Sequence, residues 1–552
     1  MKNRALRITI LTLAVAAILA GGIYAKRNDF GLGRNMEMMV NMMHLLSTQY
    51  VDEVDPDKMM KDGAAGITRH LDPYTSFIPE SEMAEFQSQH TGRYGGIGSM
   101  IRKKGDYIII NEPYKGSPSD LAGLKAGDKI LAVNGQDMKG KDVGDVSKVL
   151  RGEPNTSLTI TVEKWLTGET IDVKIQRRLI SIPSIPYAGY VAEGIGYICH
   201  TDFTESCYDS MRAAILRLQK SGELKGLIID YRGNGGGLLA EAVDILSLFV
   251  PKGSMVIESR GRNGESRKYY TRLEPILPNT PVALLIDDHS ASAAEIVTGA
   301  LQDYDRAVLI GQRSFGKGLV QSTLPVGYNS YLKFTSAKFY IPSGRCIQAR
   351  NYDKDGRSKT IADSLIKEFK TAHGRKVYDG GGITPDLKRE AESASDFLIA
   401  LSYSGVVDDF CDEYWKKNST QKIDVRGFTI SDEDYEIFSK MALEREFEYK
   451  SFSRYALEKL RESIKEDKND SLNEALDAID KGLKDDKQSS LKRYREEIIS
   501  YINRDIVTRY AYKEGLVEHS IVHDKWVHEA VRVLSNEAEY KRITTEQDTA
   551  RK

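Results

Sequence analysis

Between about Ile195 and Pro385, short apolar runs alternate with helical stretches, and no other feature constrains the fold of this chain as much. Gly226 to Asp230, Val282 to Ile286 and Ala307 to Gly311 have the length and composition of buried strands. Leu238 to Phe249 and Ala293 to Leu301 have helical spacing instead. Alternating β and α elements predict an α/β core with parallel strands.

At 552 residues the chain is too long for one ordinary core, so a multidomain α/β protein of three or four domains is expected. From about Tyr94 to Arg177 the period shortens to two: Leu158, Ile160 and Val162 alternate with polar residues, as do Ile171, Val173 and Ile175. This marks a small β-rich module. Its Tyr94-Gly95-Gly96-Ile97-Gly98 stretch, followed by Ala122-Gly123-Leu124-Lys125-Ala126-Gly127-Asp128-Lys129-Ile130 and Val133-Asn134-Gly135, resembles a PDZ domain. A lone glycine run is weak, because glycines often only make turns; the two segments at this distance are specific. In that family the glycine-rich loop offers N–H groups to a peptide's terminal carboxylate while the peptide adds a strand beside it. The resemblance therefore assigns Tyr94, Gly95, Gly96, Ile97 and Gly98 to the binding of a substrate tail.

The N-terminus points out of the cytoplasm. Lys2, Arg4 and Arg7 precede an apolar run from Ile8 to Ala25, which reads as a signal peptide or membrane anchor over residues 1–25. The run is at the lower limit for spanning a bilayer, and Ala25 is small enough for a cleavage site, so both forms satisfy the pattern. The remainder is expected in the periplasm or at the outer face of the cytoplasmic membrane, touching the membrane through this segment where it is uncleaved. Residues 30–85 read as helical, with Met36, Met39, Met43, Leu46, Met59, Met60 and Ile67 at three- and four-residue steps. Such methionines make an adaptable core or docking face; a copper site would need neighbouring His or Cys ligands. Beyond Arg389 the sequence is charged and mostly helical, as in Tyr435 to Glu466 and Leu472 to Arg504, with a homodimer through these helices as a further expectation.

The formal net charge of −2 gives no support to a nucleic-acid partner, and 41% hydrophobic with 29% charged residues argues against a multi-span membrane protein. The four cysteines form no CxxC pair, which excludes a zinc ribbon or dense disulfide framework and leaves room for one disulfide. His519 and His523 stand at helical spacing without HExxH, and a solvated helix face is the expectation. No metal or other cofactor is indicated.

Three segments could carry chemistry. Asp230-Tyr231-Arg232-Gly233-Asn234-Gly235-Gly236-Gly237 leaves a strand and enters a helix, where exposed N–H groups suit an anion or an oxyanion; a tight turn is the plain structural alternative. Asp288-His289-Ser290-Ala291-Ser292 also ends a strand before a helix, and an arbitrary serine there is usually a cap. Gly311-Gln312-Arg313-Ser314-Phe315-Gly316-Lys317 nearly spells a nucleotide-binding loop, but Gly318 stands where a Ser or Thr must hold magnesium, and Leu319 to Val326 reads as a strand rather than a helix.

Ser-Ala-Ser-Ala-Ala-Glu-Ile at Ser290 to Ile296 and Phe-Gly-Lys-Gly-Leu-Val-Gln at Phe315 to Gln321 together resemble the active-site pair of the carboxy-terminal processing (tail-specific) proteases. Lys317 follows Ser292 by 25 residues and Gln321 follows Lys317 by four, as in that family; Asp230, Arg232, Asn234, Gly236 and Gly237 fit its glycine loop, and the match runs from about Met36 to Asp386. Gly235 and Ala294 depart from its commonest residues. The resemblance implies a ClpP/crotonase-like core over 186–388, a PDZ domain over 90–178 inserted ahead of it, and a helical region over 389–552. It makes Ser292 the nucleophile, Lys317 the general base, Gln321 the residue orienting the lysine, and the N–H groups of Gly236 and Ala293 the oxyanion hole.

A lysine works as a base only when neutral, so desolvation must lower it by roughly 3 units, about 4 kcal/mol. Phe315, Leu319 and Val320 are the expected walls of that dry pocket. Protein or peptide substrates with accessible C-termini follow as partners. A catalytically idle PDZ scaffold is the competing reading. A Ser-His-Asp triad through His289 and Asp287 or Asp288 is disfavoured, because adjacent residues at a strand end point apart.

Overall fold

The structure is a computed structural model describing residues 30–352, 358–466, 472–483 and 487–545, so the apolar run Ile8 to Ala25 lies outside the described residues. Among the described residues no helix is long and apolar enough to cross a membrane. Two compact units are formed. One holds residues 30–81 and 321–335 with 352 and 358; the other holds 82–320, 336–351 and 359–545.

In the smaller unit a helix over 30–49 precedes the helix Pro56–Thr68. Asp55 starts the second helix: its carboxylate accepts from the N–H groups of Asp57 and Lys58, and Pro56 needs no acceptor at the first helical position. The expected helical region over 30–85 is interrupted by the strand Ser76–Ile78, paired antiparallel with Tyr331 to Lys333, and turns helical again from Glu80. Met36 and Ile67 of the methionine stripe are more than half exposed, whereas Met39, Met43 and Met59 are half-buried.

The larger unit is built on a six-stranded sheet in the order Tyr187–Ala192, Ile195–Cys199, Gly226–Asp230, Val282–Ile286, Val308–Gly311, Leu387–Lys388. The first pair is an antiparallel hairpin and the rest run parallel. Gly226–Asp230, Val282–Ile286 and Val308–Gly311 are buried at every position, as their apolar composition requires of strands covered on both faces. On one face Leu227, Ile229, Leu284 and Leu309 pack against the helices Cys207–Ser221, Leu239–Leu246 and Ala293–Asp303. On the other, Ile228, Ala283, Leu285 and Ile310 pack against Trp526, Val527, Ala530 and Val533 of the helix Lys525–Leu534. The end of the C-terminal region thus completes the central core.

The β-rich module is an antiparallel sheet in the order Ser99–Lys104, Tyr107–Pro113, Lys129–Val133, Ser157–Glu163, Thr170–Gln176, with the helix Val143–Leu150. Ile108, Ile110, Leu124, Ile130, Ile160 and Val162 form its core, which accounts for the period of two. Ser99–Lys104 is the edge strand. Arg93–Gly96 pairs with Arg178–Ser181, which carries the closing strand past the expected boundary at 178.

After residue 395 come helices, among them Val406–Asn418, Asp432–Glu444 and Arg495–His523, the last broken at Tyr512, with their own core of Phe397, Phe410, Phe438, Ile498 and Ile502. The stretch expected to run helically from Tyr435 to Glu466 breaks between Glu444 and Phe452. His519 departs from the expected solvated face: it is buried, and its Nδ1 bonds the Val425 carbonyl at 2.9 Å. All four cysteines are free thiols, so the disulfide that the count left open is not formed.

Candidate active site

Ser292 stands between the strand Val282–Ile286 and the helix Ala293–Asp303 with φ 56° and ψ −113°, a left-handed conformation that a non-glycine residue adopts at a cost. An ordinary helix-capping serine is extended, so Ser292 holds the N-cap position of a capping box with Glu295 in a conformation that capping alone does not need. Three residues on, Glu295 is completely buried, and its carboxylate gathers the site. Oε2 accepts from the Ser292 N–H at 2.9 Å and from the Lys317 N–H at 2.8 Å; Oε1 accepts from the Gly316 N–H at 2.7 Å and the Ser314 hydroxyl at 2.5 Å. The backbone nitrogens of Ser292 and Lys317 are therefore no farther apart than the sum of two hydrogen bonds to one atom. Burial raises the Glu295 carboxyl, and its four donors oppose that rise.

The lysine loop has further ties. The Gly318 N–H donates to Gln348 Oε1 at 2.7 Å and the Phe315 N–H to the Ser290 carbonyl at 3.0 Å. These contacts leave no open cradle for phosphate, since the Gly316 and Lys317 N–H groups point at a carboxylate, and Leu319–Gly327 is a strand. Of the residues expected to wall the lysine pocket, Leu319 is buried and Val320 half-buried, whereas Phe315 is 41% exposed. Its backbone turns at the rim of the core, where the side chain faces solvent.

The glycine loop lies against the serine from the other side. A Cβ on Gly236 would fall 2.8 Å from Ser292 Cβ and 2.6 Å from the Ala291 carbonyl oxygen, so this approach needs glycine. Asn234 sets the loop: its Oδ1 accepts from Gly236 N–H at 2.9 Å, its Nδ2 donates to the His200 carbonyl at 2.8 Å, and its carbonyl accepts from Ala291 N–H at 2.9 Å. The Gly236 N–H, expected as an oxyanion donor, is thus committed to Asn234 in this state. Ala293 opens its helix, where the first N–H groups have no intrahelical acceptor and the dipole favours negative charge. Asp287 holds the Gly233 N–H at 3.0 Å, and Asp230 holds Arg232 through two nitrogens.

Gln321 belongs to the smaller unit, where its Nε2 donates to Thr335 Oγ1 at 3.4 Å. His289 is exposed, and its Nδ1 bonds the neighbouring Asp288 at 2.7 Å. Asp287, Asp288 and His289 bring ligand-type atoms within 4.8 Å of one another, but the Asp287 carboxylate is already engaged by the N–H groups of Gly233, His289 and Ser290. Sequence reasoning missed Glu295 and Gln348. Glu295 had a signal, because Ser-x-x-Glu at the start of an apolar helix is a capping-box pattern; Gln348 had none.

In the β-rich module a cavity of about 200 Å³ opens between the edge strand and the helix Val143–Leu150, lined by Tyr94, Ile97, Gly98 and Met100 on one side and Leu150 and Arg151 on the other. The Arg151 guanidinium lies 4.9 Å from the Tyr94 ring centre. Gly95 and Gly96 do not line the cavity; they sit in the strand paired with Arg178–Ser181.

Residues 194–358 match peptidase family S41, 109–164 match the PDZ domain, and 397–534 match a helical domain described as that of a probable PDZ-protease. A probable CtpA-like serine protease of Staphylococcus aureus (strain COL) is 34% identical over 387 residues, 69% of this chain and 76% of that protein. A carboxy-terminal-processing protease of Bartonella bacilliformis is 32% identical over 340 residues, 61% and 78%. The solved structure of a photosystem II D1 C-terminal processing protease is similar at 23% identity and a TM-score of 0.34, covering 63% of this chain and 86% of that one. With relatives this similar across most of their length, the chain belongs to the carboxy-terminal processing proteases of peptidase family S41 and is a serine-type peptidase carrying a PDZ domain.

Proposed function

We propose that this peptidase cleaves proteins through an acyl-enzyme on Ser292, with Lys317 as general base, and that its PDZ domain takes the substrate's C-terminal tail. The observation that carries the reading is the single Glu295 oxygen shared by the Ser292 and Lys317 N–H groups, which keeps nucleophile and base on adjoining backbone. Ser292 Oγ attacks the scissile carbonyl while Lys317 takes its proton. The N–H of Ala293 receives the oxyanion, joined by a glycine-loop donor once the Gly236 bond to Asn234 gives way. The lysine returns the proton to the leaving amine, and water then releases the acyl group. A tail laid along Ser99–Lys104 extends the sheet at its unpaired edge, with its carboxylate toward Arg151. Action on exported proteins, in the periplasm or at the outer face of the cytoplasmic membrane, goes with this reading.

The test is cleavage of a tailed peptide, with fragments read by mass spectrometry. Ser292→Ala and Lys317→Ala should each lower the rate on the order of 1000-fold or more. Equal background in all three proteins would favour an idle scaffold. Equal rates on free and amidated tails would remove the PDZ domain from the reading.

A further inference from the structure

The glycine loop is braced from outside the protease core. Arg232, two residues past the strand Gly226–Asp230, grips the Asp230 carboxylate with Nε at 3.0 and 3.1 Å and with its terminal nitrogen at 2.5 Å. The same terminal nitrogen reaches Asp524 Oδ2 at 2.7 Å, and the guanidinium lies 5.2 Å from the Trp526 ring centre. All three charged side chains are at most a quarter exposed, so solvent weakens these pairs little.

Asp524 uses its two oxygens for separate purposes. Oδ1 caps the helix Lys525–Leu534, accepting from the N–H groups of Trp526 at 2.8 Å and Val527 at 3.1 Å, while Oδ2 holds Arg232. Trp526 also backs the other loop of the site. A Cβ on Gly311, where the segment leading to Lys317 begins, would lie 2.6 Å from the indole. One corner of the C-terminal region therefore touches both loops that flank Ser292. That corner ends the helical stretch Arg495–His523, which is broken at Tyr512 (φ 58°) and meets the PDZ domain on both sides of the break, at the Arg509–Asp412–Lys104 ion pairs before it and where the Lys513 N–H donates to Glu112 at 2.8 Å after it.

We propose that Asp524 is a positioning residue for peptide cleavage: by holding Arg232 it fixes the glycine loop against Ser292, so that the C-terminal helical domain sets the geometry of the oxyanion site. Asp524 touches no substrate and acts through Arg232 alone. The proposal rests on the acyl-transfer reading above.

Asp524→Asn separates the two roles, because asparagine caps a helix about as well as aspartate but brings no charge to Arg232. On a tailed peptide with the full chain, Asp524→Asn should lower kcat about 10-fold with KM unchanged and the melting temperature close to wild type; Asp524→Ala should lower both kcat and the melting temperature. Arg232→Gln should lower kcat to a similar degree, and the double variant Arg232→Gln with Asp524→Asn should be no slower than Arg232→Gln alone. Wild-type kcat in Asp524→Asn beside an inactive Ser292→Ala overturns the proposal and leaves the peptidase reading standing; so does multiplication of the two single effects. Absence of Ser292-dependent cleavage in the wild type overturns both.

Discussion

The two loops that flank Ser292 are held by opposite means. The lysine loop is gathered at one point: a buried carboxylate of the adjoining helix, Glu295, collects the N–H groups of Ser292, Gly316 and Lys317 and the Ser314 hydroxyl, and Trp526 touches only its start at Gly311. The glycine loop is held piecemeal, by Asp230, Asn234 and Asp287 from within and by Asp524 and Trp526 from the C-terminal region. A nucleophile and its base need a fixed separation, which a single shared acceptor gives. A donor loop that must receive a developing charge can instead be tuned from a distance, and its charged braces are where such tuning enters.

The largest effect should come from breaking the gathered loop. Glu295→Ala strands four donors in a dry site at about 1–3 kcal/mol each, so a loss of about 4 kcal/mol or more in a denaturant melt is expected, with cleavage falling below detection. A melt within 1 kcal/mol of wild type, by order of magnitude, would show that the carboxylate does not hold the site.

A middle-sized effect is expected behind the glycine loop, where the His200 carbonyl accepts from Asn234. Burial pushes the His200 imidazole down to about 4 from an ordinary 6.5. The unfolded chain then binds a proton that the folded chain refuses, so stability is complete above about pH 6.5 and falls by about 3 kcal/mol as pH drops to about 4. Melting temperatures across that window should fall more steeply for wild type than for His200→Phe; parallel curves would exonerate His200.

The smallest effect belongs to the distant brace. Arg102 pairs with Asp408 at 2.7 Å between PDZ edge strand and C-terminal helix, both about 30% exposed, so Arg102→Ala should cost about 0.5 kcal/mol and the cost should shrink as salt is added. A salt-independent loss would mean packing rather than charge.

Much of this was legible in the sequence. The parallel core followed from apolar runs of strand length and the β-rich module from its period of two, while its PDZ character came from the resemblance of the Tyr94 to Gly98 and Ala122 to Ile130 segments. The Ser292 and Lys317 segments stood out through their resemblance to a family motif, because their own residues left a helix cap and a nucleotide loop open. What was hidden is long-range. Asp524 and Trp526 look like a cap and a core residue, and they are both; only the fold reveals that Arg232 stands against them. Phe315 and His519 failed in the opposite direction, since an apolar residue near a motif and a histidine on a charged helix say nothing of which way each faces. Ser76–Ile78 was missed because three residues are too few for any period to show.

The backbone of Ser292 carries one more consequence. Its left-handed φ of 56° is held against local preference at a cost of about 1–3 kcal/mol, which the surrounding helix and loops must supply at every moment, with or without substrate. Robustness and reactivity therefore pull this position in opposite directions: a lineage under pressure only to stay folded would drift to glycine here, and the first thing it would surrender is the alcohol that cuts.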